Sequence, residues 1–325
     1  MVSIREEASY KNYGKCLSIS NGAIEVLVTV DVGPRIIRCA CAGKENMMFE
    51  DIGRGTTHDV SQLYGEGKTW NIYGGHRLWM SPESFPDTYY PDNEKVVYTT
   101  RASGAEFIPQ QQDKTGLQLS ILIEMDETEP KLTITHTITN TKKEPVTGSA
   151  WSLSVMDAGG TVIVPLSTEQ TELLPNRNII LWPYTDMTDK RLYFGKNLIA
   201  ARQNPEVSEP LKIGVGQATG KIAYVNHDQA LVKEYSVDNS AAYPDFGAST
   251  EVYLCASFAE AETLSPISTL KKGEKIVHTE TWTLHDNFNL PYFDRVSLAD
   301  AAEKLFREIS LYREVSQYLI RQINK

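Results

Sequence analysis

Lys131-Leu-Thr-Ile-Thr-His-Thr-Ile-Thr-Asn140 alternates without a break: Leu132, Ile134, His136 and Ile138 fall on one face and four threonines on the other. A period of two is the signature of a half-buried strand, because successive side chains of an extended chain point to opposite sides. Just upstream, Leu117-Gln-Leu-Ser-Ile-Leu-Ile123 reads as a partner strand, and Glu129-Pro130 supplies the break before the second strand. The two together predict an antiparallel pair.

The same reading extends in both directions. Ile24-Glu-Val-Leu-Val-Thr-Val30, Arg35-Ile-Ile-Arg-Cys39, Thr161-Val-Ile-Val-Pro165, Lys221-Ile-Ala-Tyr-Val225, Leu231-Val-Lys-Glu-Tyr-Ser-Val237 and Glu251-Val-Tyr-Leu-Cys255 are further strands. Lys271-Lys-Gly-Glu274 has the form of a hairpin turn feeding a strand from Lys275 to Leu284. Many short strands with turn signals between them predict a mainly β sandwich or barrel. No alternation of strands with helices points to a doubly wound sheet. One large β domain over residues 1–290 is the simplest organisation. From Ser297 the pattern changes: Leu298, Ala302, Leu305, Ile309, Tyr312, Leu319 and Ile323 recur at helical spacing. Residues 291–325 are therefore expected to form a helical extension, with Ser297 as N-cap, Asp300 in its first turn and a second helix beginning near Ser310. That extension packs on the β domain or on a partner chain, so an oligomer could form through it.

The chain has 325 residues, with 32 Lys and Arg against 42 Asp and Glu and a net charge of −10. No basic run offers the footprint of a nucleic-acid or membrane-surface protein. No apolar run is long enough to span a bilayer, and the first residues lack the apolar region of a signal peptide. Cys16, Cys39, Cys41 and Cys255 form neither a disulfide framework nor paired C-x-x-C ligands, which suggests a reduced, cytoplasmic setting. The six histidines show no metal-binding spacing, so neither a metal nor a cofactor is expected. His136 and His278 lie inside strand patterns and read as core or surface histidines. Gly214-Val-Gly-Gln-Ala-Thr-Gly-Lys221 misses the phosphate-loop spacing and reads as a strand-to-strand connection.

The chemistry-bearing stretches are Tyr73-Gly-Gly-His-Arg-Leu-Trp79 and Glu260-Ala-Glu-Thr-Leu-Ser-Pro266. Two glycines allow a sharp turn, and they precede a proton-exchanging His, a fork-shaped Arg and a flat Trp. Glu260 and Glu262 stand two apart, on one face of a strand. Leu181-Trp-Pro-Tyr-Thr-Asp186 and Tyr243-Pro-Asp-Phe-Gly247 add aromatics and carboxylates. Together these residue types suit a small-molecule carbohydrate with its hydroxylated ring.

These stretches, with Gly74–Glu83 read as a unit and Leu270-Lys-Lys-Gly-Glu274 following the second, resemble the galactose mutarotase-like proteins, the superfamily of aldose 1-epimerases. The nearest likeness is to an uncharacterised family within it, and it covers most of residues 10–286. The resemblance implies a β-supersandwich with a sugar site on the concave face of a large antiparallel sheet. It implies Glu262, in the family's Glu-Thr pair, as base on the anomeric hydroxyl, and His76 as the acid at the ring oxygen. Arg77, Tyr73, Trp79, Trp151, Trp182, Asp186, Asp245 and Glu260 are the expected substrate-binding residues. The chain departs from the pattern at Tyr73, where the family has a His before its glycines, and at Trp151, near the position of its second His. The expected function is an aldose 1-epimerase-like isomerase. The alternatives are a carbohydrate-binding or sensing protein without chemistry, and a sugar-active lyase or hydrolase.

Overall fold

A computed structural model describes residues 1–7 and 9–307. It is mainly β, as the alternation requires, and is built from two large sheets packed face to face. The front sheet has eleven strands. In order across the sheet they are Ser3–Glu7, Cys16–Ser20, Ile24–Thr29, Ile36–Cys41, Gly75–Ser81, Val146–Met156, Ala259–Leu264, Thr250–Leu254, Leu211–Gly216 and Asn178–Leu181, with Ser268–Leu270 pairing on Val146–Met156. The back sheet has ten: Leu192–Phe194, Leu198–Arg202, Thr161–Pro165, Lys221–Asn226, Gln229–Tyr235, Lys275–Asp286, Lys131–Asn140, Leu117–Met125, Gly104–Ile108 and Val97–Thr100. The central ladders of both run antiparallel.

Lys131–Asn140 sits where its pattern puts it, between Leu117–Met125 and Lys275–Asp286. Its apolar residues are buried and its threonines half-buried. One hydrophobic cluster fills the space between the sheets. It takes Val26, Leu78, Ile213, Val252 and Ala261 from the front and Ile121, Ile134, Val162, Leu231 and Trp282 from the back. Burying each such side chain contributes about 1.5–3 kcal/mol before chain entropy is set against it. The Lys271–Glu274 turn closes with Glu274 N–H on Lys271 C=O at 3.0 Å. It does not join paired strands, as a hairpin would: Ser268–Leu270 belongs to the front sheet and Lys275–Asp286 to the back. The segment from Gly214 to Lys221 likewise carries the chain from one sheet to the other.

Residues 295–307 are helical. Leu298, Ala301 and Leu305 pack on Ile163, Leu198, Ala200 and Val232 of the back sheet. The cap is not Ser297 but Asp294, whose Oδ1 accepts from Val296 N–H at 2.8 Å and Ser297 N–H at 3.1 Å. Asp300 accordingly lies beyond the first turn. The expected continuation through Ile309, Tyr312, Leu319 and Ile323, and the second helix from Ser310, lie outside the described residues. Among those described, no helix is long and apolar enough to cross a membrane.

Candidate functional site

Strand register decides which side chains meet. Arg77, Leu153, Glu262 and Glu251 lie opposite one another across four neighbouring strands of the front sheet. Glu260, Tyr253 and Lys212 form the next row on the same side. Residues directly opposite on adjacent strands share a face. These rows face away from the back sheet, because Leu78, Ala259, Ala261 and Val252 alternate with them and enter the core between the sheets.

Two loops and a hairpin build walls on this outer face. The hairpin Thr57–Asp59/Thr69–Asn71 brings His58 and Trp70, whose rings stack at 5.6 Å. The segment after Gly75–Ser81 brings Glu83 and Tyr89, and the segment after Asn178–Leu181 brings Tyr184. With Arg77, Trp79, Trp151, Lys212, Tyr253, Phe258 and Glu260 they enclose a cleft of about 280 Å³. The entering turn needs both glycines: a Cβ on Gly74 would stand 2.0 Å from Phe49 O, and one on Gly75 2.3 Å from Ile36 O. Their φ values, +99° and +64°, also favour glycine.

Charge is concentrated on the cleft floor. Arg77 Nη2 donates to Glu260 Oε1 at 3.2 Å, and its guanidinium lies 4.3 Å from the centre of the Trp79 ring. Lys212 Nζ donates to Glu262 Oε2 at 3.1 Å. It also lies 2.7 Å from Glu251 Oε2, an ion-pair distance, though the angle makes no hydrogen bond. Trp151 Nε1–H donates to Glu262 Oε2 at 2.6 Å. Burial pushes the Glu260 carboxyl up to about 7, with Arg77 opposing and Glu262 adding to the rise. Burial also raises Glu251 well above the carboxylate range against the pull of Lys212. Lys212 itself is pulled down by burial, but Glu262 and Glu251 outweigh that and hold it charged. Three carboxyls thus face two cations, and near neutral pH the cluster keeps a proton to share.

His76 does not join this cleft. Expected beside Glu262, it points the other way, because a neighbour of Arg77 in an extended strand must lie on the opposite face. It is 0% exposed, between the sheets. There it belongs to a second polar network. His136 Nδ1 lies 3.0 Å from the carbonyl of His278, which can only accept, so His136 carries its proton on Nδ1. His136 Nε2 then accepts from His76 Nε2–H at 2.7 Å, and His76 Nδ1 accepts from Ser154 Oγ–H at 2.8 Å. Glu280 Oε1 accepts from Ser152 and Thr263 hydroxyls at 2.8 and 2.6 Å and lies 3.2 Å from Lys233 Nζ, an ion-pair distance, and its Oε2 accepts from Trp282 Nε1–H at 2.7 Å. Burial lowers His76, His136 and His278, the last to about 3. Burial alone would raise Glu280, but Lys233, first among the opposing groups, holds it well below the usual range. Ligand atoms of His76, His136 and Glu280 lie within 4.8 Å of one another, as a metal site would require. Their hydrogen bonds and the Lys233 ammonium already satisfy them, so the set is closed without an ion.

The other expected residues divide. Arg77, Trp79, Trp151 and Glu260 line the cleft. Glu262 is 0% exposed and held behind Trp151 and Lys212. The Trp182 ring lies 4.9 Å from Lys212 Nζ at the edge of this group. Tyr73 does not reach the cleft: it packs with Tyr13 and Ile37, and its hydroxyl donates to Asn93 Oδ1 at 2.7 Å. Asp186 is exposed and closes its own turn through Thr188 N–H at 2.7 Å. Asp245 occupies a left-handed turn, φ 50°, and does not line the cleft. Lys212, Glu251, His58, Trp70, Tyr89 and Tyr253 were not anticipated, and Tyr184 only as part of the aromatic stretch Leu181–Asp186. Lys212 carried a signal, since it alternates with Leu211, Ile213 and Val215. The hairpin and loop residues carried none, because tertiary folding alone brings them over the sheet.

No protein-family model matches the chain, and no curated protein matches it. Solved structures do. A galactose mutarotase-like protein from Lactobacillus casei superposes with a TM-score of 0.53 at 10% identity, over 83% of this chain and 100% of that one. A candidate aldose 1-epimerase from Klebsiella pneumoniae gives 0.56 at 12%, over 94% and 87%. A TPR-domain protein from Parabacteroides distasonis gives 0.58 at 13%, over 86% of this chain, which spans only 48% of that protein's length. The two-sheet architecture is that of the galactose mutarotase-like proteins.

Proposed function

We propose that the outer-face cleft binds a carbohydrate ring and that Glu260 moves a proton on it, in an aldose 1-epimerase-like reaction. One observation carries this reading: a carboxyl held near neutral pKa by burial lines a cleft walled by Trp79, Trp151, Tyr89 and Tyr253. Indole and phenol rings pack against the C–H faces of a sugar, and a general base works best when its pKa lies near the working pH. Glu260 would take the anomeric O–H proton as the C1–ring-oxygen bond breaks and C1 becomes a carbonyl. The ring oxygen gains a proton from an acid, and closure on the other face of the carbonyl gives the second anomer. His58 is the imidazole that lines the cleft among the described residues, and imidazole is the side chain most often used for such transfers. Lys212 is held charged, so it serves as a hydrogen-bond donor to developing negative charge. Glu262 is a positioning residue that fixes Trp151 and Lys212.

A second reading, binding without chemistry, is favoured by one specific feature. The positions where the resemblance wants cleft histidines hold Tyr73, which lies elsewhere, and Trp151, whose N–H is committed to Glu262. Anomer exchange followed by NMR on a panel of aldoses separates the two. Catalysis predicts that Glu260→Gln slows exchange by about 10²–10⁴ while sugar affinity survives. Calorimetric binding with no rate effect on any sugar would leave the second reading. Absence of both would reject the cleft as a sugar site.

A further inference from the structure

Three donor nitrogens of cleft-lining residues have no acceptor among the described residues: Trp70 Nε1, Arg77 Nε and Arg77 Nη1. Both residues line the cleft, and both are more than nine-tenths buried, at 2% and 3% exposure. The Arg77 guanidinium lies over Trp79, with Trp70 5.6 Å away, so its flat faces meet rings and its unused donors meet nothing polar. Buried donors without acceptors are uncommon, each costing about 1–3 kcal/mol. Native proteins keep such groups where strain is stored, where chemistry is done, or where a water or ion meets them, and the wall of a cleft is a place where a bound group can supply the acceptor. Glu260 satisfies Nη2 only.

We propose that the ligand of this cleft is an acidic sugar, a uronate or aldonate, whose carboxylate is received by Arg77 and the indole N–H of Trp70. This rests on the reading of the cleft as a carbohydrate site and names the class of carbohydrate. The donor geometry selects the anion. A guanidinium edge, one Nη2 hydrogen beside Nε–H or Nη1–H, matches a carboxylate, and Glu260 takes only one of the two Nη2 hydrogens. A sugar hydroxyl would satisfy one donor and bring a proton needing its own acceptor. A phosphate would bring up to two negative charges beside Glu251, Glu260 and Glu262, whereas a carboxylate brings one.

Proton balance allows that single charge. The groups around Glu260 are Arg77, Lys212, Glu262, Tyr89, Tyr184, Tyr253 and Cys255. Of these only Arg77 and Lys212 are cationic, and Lys212 already serves Glu262 and Glu251; His58 and Glu83 also line the cleft. A ligand carboxylate at Arg77 therefore displaces the charge of Glu260, which takes up a proton, so Glu260 acts as the base of the proposed reaction on a neutral aldose and not on a uronate bound at pH 6. Affinity for an acidic sugar should be full below about pH 7 and fall above it, because Glu260 titrates near 7. Affinity for a neutral sugar should show no such loss.

The test is isothermal titration calorimetry at pH 6 and pH 8 with D-galacturonate, D-glucuronate, D-galactose, D-glucose and D-glucose 6-phosphate. The proposal expects uronates to bind roughly tenfold to hundredfold more tightly than the parent aldoses at pH 6, the range for hydrogen bonds to a charged partner. Trp70→Phe removes the donor and shrinks the ring, and should weaken uronate binding roughly fivefold to tenfold more than it weakens aldose binding. Glu260→Gln should abolish the difference between pH 6 and pH 8 for uronates. Equal affinity for uronates and aldoses, unaltered by Trp70→Phe, would overturn the acid class and leave the sugar reading standing. Tighter binding of the phosphate than of either uronate would overturn the carboxylate assignment. No binding of any of the five would remove the sugar reading itself, and this proposal with it.

Discussion

Two charged clusters lie back to back on the strand Gly75–Ser81, one on each face of a single sheet. Arg77 looks outward into the cleft, and His76 looks inward to the network around Glu280. Both are buried and both mix carboxylates with cations, yet their hydrogen bonding differs. Inward, His76, His136 and Glu280 have partners at every polar side-chain atom, and the proton positions can be traced from one to the next. Outward, among the described residues, two donor nitrogens of Arg77 and one oxygen of Glu262 have no partner, and the carboxyls outnumber the cations. A closed network holds sheets in register. An open one, with a proton to share and donors to offer, is where a ligand would be read. Burial and charge alone do not tell the two apart; the completeness of the hydrogen bonding does.

The largest effect that would sharpen this contrast is on stability from the inner face. Glu280→Gln leaves Lys233 without its counter-charge between the sheets and should cost about 3–5 kcal/mol in urea denaturation, with any surviving folded protein still binding sugar. A loss below ~1 kcal/mol would mean that the inner network is not the closed, dry unit described.

Next in size is the response to acid. The buried histidines have pKa values below their unfolded value of about 6.5, so below that pH the unfolded chain binds protons that the fold does not. Stability should therefore fall as pH drops beneath about 6.5, by up to roughly 1.4 kcal/mol per pH unit for each such group. The cleft acts in the opposite sense. Glu260 and Glu251 have raised pKa values, so their contribution favours the fold at low pH and is lost as pH rises through the folded values. Melting curves of Glu260→Gln should accordingly gain on the wild type between pH 5 and pH 8. A constant offset across that range would contradict the outer half of the comparison.

How much of this could be read in advance follows from strand geometry. The alternation in Lys131–Asn140 exposed the sheet directly, and the two-residue spacing of Glu260 and Glu262 put both on one face. The same rule separates His76 from Arg77. Adjacent residues in a strand are kept apart by the sheet itself, so a cluster of useful types in consecutive positions splits between two environments. What pairs with what on neighbouring strands of a sheet, such as His136 opposite His278, depends on register that no local pattern carries. The hairpin bearing His58 and Trp70 is equally silent, since its place over the cleft comes from tertiary packing. The helix start was nearer to legible: Asp294 is a good capping residue three positions before the expected Ser297. Asp294→Ala should cost about 0.5–2 kcal/mol, the smallest of these effects, and leave ligand binding unchanged. A change in sugar affinity would show that the back of the molecule is coupled to the cleft.

The most direct test uses the chain's five tryptophans. Trp70, Trp79 and Trp151 line the cleft, while Trp282 is 0% exposed and bonded to Glu280 on the inner face. In a ¹⁵N-labelled sample titrated with D-galacturonate and, separately, D-galactose, the indole N–H resonances report each site by itself. The outer-face account predicts that the Trp70, Trp79 and Trp151 signals move with ligand while Trp282 stays in place. Saturable binding that moves Trp282 and leaves the three cleft indoles unchanged would contradict it.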